Sequence, residues 1–275
     1  MMSKSKIIKV LSLTIVVIAL IWTLYPLMWI LFSSFKTPID QFTIPPKWIP
    51  ENFTLRNYKI FFSNTEFVRA FFNSIIVTAS STILALILGI PAAYGLARFK
   101  WKHASLLSFI ILLARMTPPI VMVLPFFLIS RILNLSGTYI PIIIASSFFS
   151  VPFAVWMMQG FFSEIPESLE EAAMIDGCTR FESLRKIVLP LVLPGISATS
   201  ILCALVSWNE FLFALILTGQ ETRTLPVLVN MFVSEKNVDW GVMSAAALIT
   251  VIPMIIFGLL VQNNLVRGLT AGSGK

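Results

Sequence analysis

Charge is what this chain has least of. Only 12% of its 275 residues are Asp, Glu, Lys or Arg, while 57% are hydrophobic. A soluble domain carries roughly a quarter of its residues as charges. A water-facing globule of this length is therefore excluded. Histidine is almost missing as well, His103 being the single one, and it lies beside basic neighbours. No Ser/His/Asp or Cys/His constellation can be assembled around it, so no catalytic residue is assigned. The two cysteines, Cys178 and Cys203, have no metal-ligand spacing and are too few for a disulfide framework. They read as small apolar filler, and no metal site is expected. The net charge of +7 comes from Lys and Arg scattered among loops, without a basic stripe or interleaved aromatics. That pattern excludes nucleic acid as a partner. No internal repeat and no low-complexity tract is visible.

What the chain does have is long apolar runs. A helix needs about 20 apolar residues to cross the hydrocarbon layer, and only helices satisfy their own backbone groups there at that length. Six segments qualify: 11–32, 73–97, 106–130, 139–161, 195–217 and 243–266. The first follows Lys4, Lys6 and Lys9 and runs uncharged from Val10 to Phe35. That is longer than a signal-peptide core and lacks a small-residue cleavage site, so it reads as an uncleaved span. Lys and Arg accumulate in short cytoplasmic loops. Lys4, Lys6 and Lys9, together with Arg98, Lys100 and Lys102, put the start of the chain and the second loop inside. The expected fold is thus an all-α membrane protein with six transmembrane helices and cytoplasmic N and C termini.

The first outer loop, 36–72, contains Ile44-Pro45-Pro46-Lys47-Trp48-Ile49-Pro50, whose prolines favour an extended path. Trp48, Phe53 and Tyr58 could anchor it at headgroup level. Prolines 91, 118, 119, 125, 141, 152 and 253 punctuate the spans and can kink them. Two charges fall inside spans, Arg115 and Glu210, the latter beside Asn209. Intramembrane charges are costly and usually face the bundle interior or a wet cavity. Arg115, Asn209 and Glu210 are therefore candidates for the translocation path, or else satisfy local backbone groups.

Between the fourth and fifth runs lies a charged island, 163–190, on the expected cytoplasmic face. Ser168-Leu169-Glu170-Glu171 fits a capping box, and Thr179-Arg180-Phe181-Glu182 fits a second. Gly177 stands where a helix C-terminus wants a positive φ. Helix, glycine turn, helix is the expected local structure, with Phe181, Leu184 and Val188 on one stripe of the second helix. Small Ala172 and Ala173 would let the knob enter a partner's cleft closely.

The island reads Glu171-Ala172-Ala173, three residues, Gly177, nine residues, then Ile187-x-Leu189-Pro190. This resembles the signature loop of permease subunits in binding-protein-dependent ABC importers. Arg115-Met116-x-Pro118-Pro119, Trp208-Asn209-Glu210-Phe211 and the ending Val266-Arg267-Gly268-Leu269-Thr270-Ala271-Gly272 are similar to the carbohydrate branch, most of all to the smaller permease subunit of maltose-type importers.

The resemblance implies a type I ABC importer permease fold in a single domain over 1–275. Its parts would be the first span and outer loop (1–72), a five-span core (73–266) with the coupling loop at 163–190, and a cytoplasmic tail (267–275). It implies docking of a cytoplasmic ATPase on Glu171, Ala172, Ala173, Asp176 and Gly177, with Gly268, Leu269, Thr270, Ala271 and Gly272 reaching the same ATPase. It further implies a second homologous permease subunit, two ATPase subunits, an extracytoplasmic solute-binding protein and a sugar as substrate. The location would be a bacterial or archaeal inner or plasma membrane. ATP would be bound by the partner subunits and no cofactor by this chain. Consistently, Gly272-Ser273-Gly274-Lys275 is not a phosphate-binding loop, because Leu269 stands where its first glycine must be. Two alternatives stay open: an ABC permease for a non-sugar solute such as glycerol phosphate, and an ion-coupled secondary carrier with Glu210 as its ion site.

Overall fold

The computed structural model describes residues 4–99, 102–234 and 239–271. The described residues are mostly helical. Four helices are long and apolar enough to cross a membrane, or up to six if each of two sharply bent pairs counts as one span. The chain divides into two compact units, one formed by residues 1–68 with 229–251 and the other by 69–228 with 252–275.

In the first unit, α1 (Lys4–Ser34) carries the first apolar run. It is followed by the short α2 (Pro38–Gln41) and by α3 (Arg56–Ser63). Pro38 at the start of α2 sits where its missing N–H costs nothing, and Thr37 caps that helix through the Asp40 N–H. The loop aromatics Trp48 and Tyr58 pack against α1. Trp48 sets its ring edge-on to Tyr25 and Trp29, at 4.6 and 4.9 Å. Tyr58 meets the Ser34 hydroxyl at 2.8 Å. A buried amide ties this region together: Asn57 Nδ2 donates to the Ser34 and Lys36 carbonyls at 2.8 and 2.9 Å, closing the open end of α1. Gly241 leaves room for it, since a Cβ there would stand 2.5 Å from Asn57 Nδ2.

The second unit is built around α7 (Tyr139–Glu164), which packs against α5 (Ala104–Met116) and α11 (Leu193–Trp208). Small side chains permit this closeness. Ala85 of α4 (Thr65–Arg98), Ala154 of α7 and Cys203 of α11 form one buried cluster. Hydroxyls lock the same helices: Ser81 Oγ meets Ser207 Oγ at 2.7 Å, and Ser147 Oγ donates to the Ser81 carbonyl. Cys203 is buried as apolar filler, while Cys178 is only partly buried.

Two expected spans are not continuous helices. The run 106–130 is split into α5 and α6 (Pro119–Ile132), bent by 87°. Consecutive prolines are the cause, because each pushes its predecessor out of the helical region: Thr117 has ψ 126° and Pro118 has ψ 125°. The second bent pair is Arg180–Leu191 with Leu193–Trp208, at 74°; the run 195–217 itself stops after Trp208 and resumes as α12 (Leu212–Leu217). Phe213 of α12 then joins Phe126 and Phe149 in an aromatic cluster with centroids 5.7 and 5.6 Å apart. The chain continues through α13 (Leu225–Ser234) into α14 (Trp240–Ala271).

Asn57→Ala would leave two carbonyls at the end of α1 without their donor. A loss of about 1–3 kcal/mol is expected for such a change. It would be read as a lower thermal midpoint in detergent; an unchanged midpoint would show that water replaces the amide.

Candidate functional site

The charged island is a folded knob. Its first limb, α8 (Glu167–Ile175), starts behind Pro166, which holds the preceding Ile165 extended at ψ 123° and so ends α7 at Glu164. Glu167 and Glu170 fall in its first turn, where carboxylates complement the helix dipole. The Ser168–Glu171 capping box expected from the sequence does not form. Pro166 has already started the helix one residue before Ser168, leaving that serine inside the first turn. The limb ends as expected at Gly177, with φ +91°. Cys178 N–H donates to the Ala173 carbonyl and Gly177 N–H to that of Met174, the paired bonds of a Schellman turn.

The second limb begins with the Thr179–Glu182 capping box, which is complete. Thr179 N–H donates to Glu182 Oε2 at 2.9 Å and Glu182 N–H to Thr179 Oγ1 at 3.3 Å. One turn of α9 (Arg180–Ser183) leads into a π-helical turn, Leu184–Val188, then α10 (Leu189–Leu191). The expected Phe181-Leu184-Val188 stripe is corrected here. Val188 is buried and Phe181 exposed, because the π turn changes the angular step between them.

The five motif residues divide by exposure. Glu171, Ala172, Asp176 and Gly177 face outward, beside an Ile175 that is 86% exposed. Ala173 points inward and is buried, so closeness at that position serves the chain's own packing.

Below Ala173 lies a joint that the sequence reading missed. Glu170, one helical turn earlier, is buried. Its Oε1 accepts from Arg98 Nε at 2.5 Å and its Oε2 from the Tyr94 hydroxyl at 2.5 Å. Arg98 also donates through a terminal nitrogen to the Ile165 carbonyl at 2.9 Å, closing the end of α7. The Arg98 and Glu170 side chains are only 6% and 8% exposed. Arg180 of the second limb lies 5.0 Å from the Phe99 ring at the end of α4. Under this joint Ala93, Tyr94 and Leu96 of α4 form one apolar core with Val155, Met158 and Phe162 of α7 and with Val188 and Val192. The available signal was the Glu170-Glu171 pair: adjacent helical residues point about 100° apart, so both cannot face the same partner.

The translocation candidates are held in two separate places. Arg115 occupies the last turn of α5, exposed, with its guanidinium 4.2 Å from the Phe153 ring. Asn209 and Glu210 form the break between α11 and α12. Asn209 Nδ2 donates to the Leu205 carbonyl, and Glu210 Oε1 accepts from Phe213 N–H, both at 2.8 Å. Glu210 therefore serves the first turn of α12 as a cap would. In the tail, Gly268, Leu269, Thr270 and Ala271 continue the backbone of α14. Gly272 lies outside the described residues, as do Lys100 and the terminal Ser273–Lys275.

Residues 85–271 match the family of binding-protein-dependent transport system inner membrane components. The chain belongs to this family. It is a family of membrane transporter permeases rather than of enzymes. Among relatives, the sulfoquinovosyl glycerol transport system permease SmoH of Agrobacterium fabrum is 38% identical over 259 residues, covering 94% of this chain and 91% of that protein. The trehalose/maltose transport system permease MalG of the archaeon Thermococcus litoralis is 33% identical over 256 residues, covering 92% and 91%. A solved bacterial ABC transporter involved in import of the acidic polysaccharide alginate superposes with a TM-score of 0.81 at 25% identity, covering 96% of this chain and 98% of its own. The permease-type signature loop therefore lies inside the matched region, and the likeness to these permeases extends over more than nine-tenths of the chain.

Two outcomes follow from the knob's chemistry. The Thr179 N–H, with the Lys186 ammonium and the Thr179 hydroxyl, holds the Glu182 carboxyl down from 4.5 to about 2. A depressed carboxyl stabilises above its ordinary value and loses that contribution as pH falls through the folded one. Hydrogen-exchange protection of residues 179–183, corrected for intrinsic rates, should be flat between pH 8 and 5 and fade between 4.5 and about 2. Separately, Arg98→Met would strand the Glu170 carboxylate. Removing one partner of a buried pair costs about 3–5 kcal/mol, to be seen as a lower thermal midpoint than that of an Arg115→Met control.

Proposed function

We propose that this chain is the membrane-spanning subunit of an ATP-driven importer that brings a sugar, in the oligosaccharide range, into the cytoplasm. It has six spans, two of them broken, with both ends and the 163–190 knob on the cytoplasmic side of a bacterial or archaeal inner membrane. It works beside a second homologous permease and two cytoplasmic ATPase subunits, and an extracytoplasmic binding protein delivers the solute. The ATPase binds the ATP. Its groove receives Glu171, Ala172, Asp176 and Gly177, and the tail 268–272 lies against the same subunit. Arg115, Asn209 and Glu210 border the path.

The observation that carries this reading is the knob itself. A chain with so few charges has placed several on one compact helix–turn–helix whose outward side carries the family signature and an exposed Ile175. Exposed apolar groups on an otherwise polar element mark a contact surface. The sugar assignment is supported by the printed substrates of relatives alike over more than nine-tenths of the chain.

The complex, purified through a tag on this chain and placed in proteoliposomes with its binding protein, should import trehalose, maltose or an alginate oligosaccharide only when ATP is enclosed on the knob's side. Uptake of glycerol 3-phosphate in place of all three would remove the sugar assignment. Uptake without ATP, driven by a sodium or proton gradient, would remove the importer class. Glu171→Lys should lower ATPase co-purification by at least about tenfold, since reversing a charge at a docked position costs more than 1.4 kcal/mol.

A further inference from the structure

The knob has two faces of different character. Its outward face carries Glu171, Ala172, Ile175 and Asp176, and its inward face carries Glu170 and Ala173, three residues apart on one side of α8. The inward face meets α4 across separations of 76 and 72 residues in sequence, through the bonds from Tyr94 and Arg98. Both limbs of the knob are already joined by the chain to α7 and α11. Nothing covalent links them to α4 nearby. The ionic joint supplies that third connection, and Arg180 beside Phe99 adds a contact from the second limb.

An apolar contact between helices can slide, because dispersion has little directional preference. A buried carboxylate held by two donors cannot. Any shift of α8 along α4 breaks charge-assisted bonds that water is not there to replace. Displacement of the knob is therefore passed to α4 rather than absorbed between the two.

We propose that Tyr94, Arg98 and Glu170 are the positioning residues through which movement of the knob enters α4. This rests on the reading of the knob as the ATPase-docking element. Without the joint, the knob would still follow the ATPase while α4 lagged.

The test uses the intact complex, purified through a tag on this chain, with ATP plus vanadate as probe. Hydrogen exchange is compared with and without nucleotide in two segments, 163–190 and 90–99. In the native complex both segments should change together. In Glu170→Ala the change in 163–190 should persist, while that in 90–99 should fall at least about fivefold, the low end of an ordinary coupling between sites. Glu170→Gln can still accept from Arg98 and hydrogen-bond to Tyr94, and it should restore most of the response. Should Glu170→Ala fail to assemble, Tyr94→Phe keeps the ring against Phe162, removes one bond to the carboxylate, and should lower the 90–99 response at least about twofold. Equal 90–99 responses in the native complex and in the variant that assembles would overturn the proposal. If no ATPase accompanies the native chain, or nucleotide leaves 163–190 unchanged, the docking reading itself fails and takes the joint with it.

Discussion

The arrangement around the 163–190 loop depends on a single buried ion pair. The Glu170 carboxylate, enclosed between α4 and α8, is tolerable only because Arg98 neutralises it and Tyr94 satisfies its second oxygen. Arg98 in turn closes the end of α7. Three helices and the turn that joins them are thereby referred to one guanidinium. The apolar core beneath, with Tyr94 edge-on to Phe162 at 5.5 Å, excludes water from the pair and so raises the penalty for parting it.

The same rule governs the other irregular points of the chain. At several points where a helix stops, a polar side chain takes over backbone groups left behind. Asn57 does this for α1, and Glu210 for α12. Asn73 does it for the turn around 221–223, donating to two carbonyls while accepting from the Tyr139 hydroxyl. Most of these polar residues thus have an evident local task. For Glu210, the bond to α12 and a place beside the translocation path are compatible, since a broken helix is where a membrane protein can present polar groups.

Much of the architecture was readable from hydropathy, because lipid imposes a length and a composition on each crossing. The runs of α1, α4, α7 and α14 stand as single helices. The third and fifth runs were misread as continuous because hydropathy does not see backbone direction. Pro118-Pro119 carried the warning for one, but Asn209-Glu210 looks the same in sequence whether it lies in a helix or ends it. Within the knob, Gly177 and the Thr179–Glu182 box were legible since both are local. The Ser168–Glu171 box has the same pattern and failed, because Pro166 acts first. The Glu170-Glu171 pair signalled that one of the two turns away from the surface, but the partners of Glu170 lie 72 and 76 residues away and were out of reach.

The Schellman turn and the capping box have one more consequence. They close the hydrogen bonds of both limbs within the loop, so its shape is complete before anything touches it. A protein that seats there meets a finished surface and spends none of its contact energy on ordering a flexible segment. Recognition at such a surface can be weak and quickly reversed yet still specific.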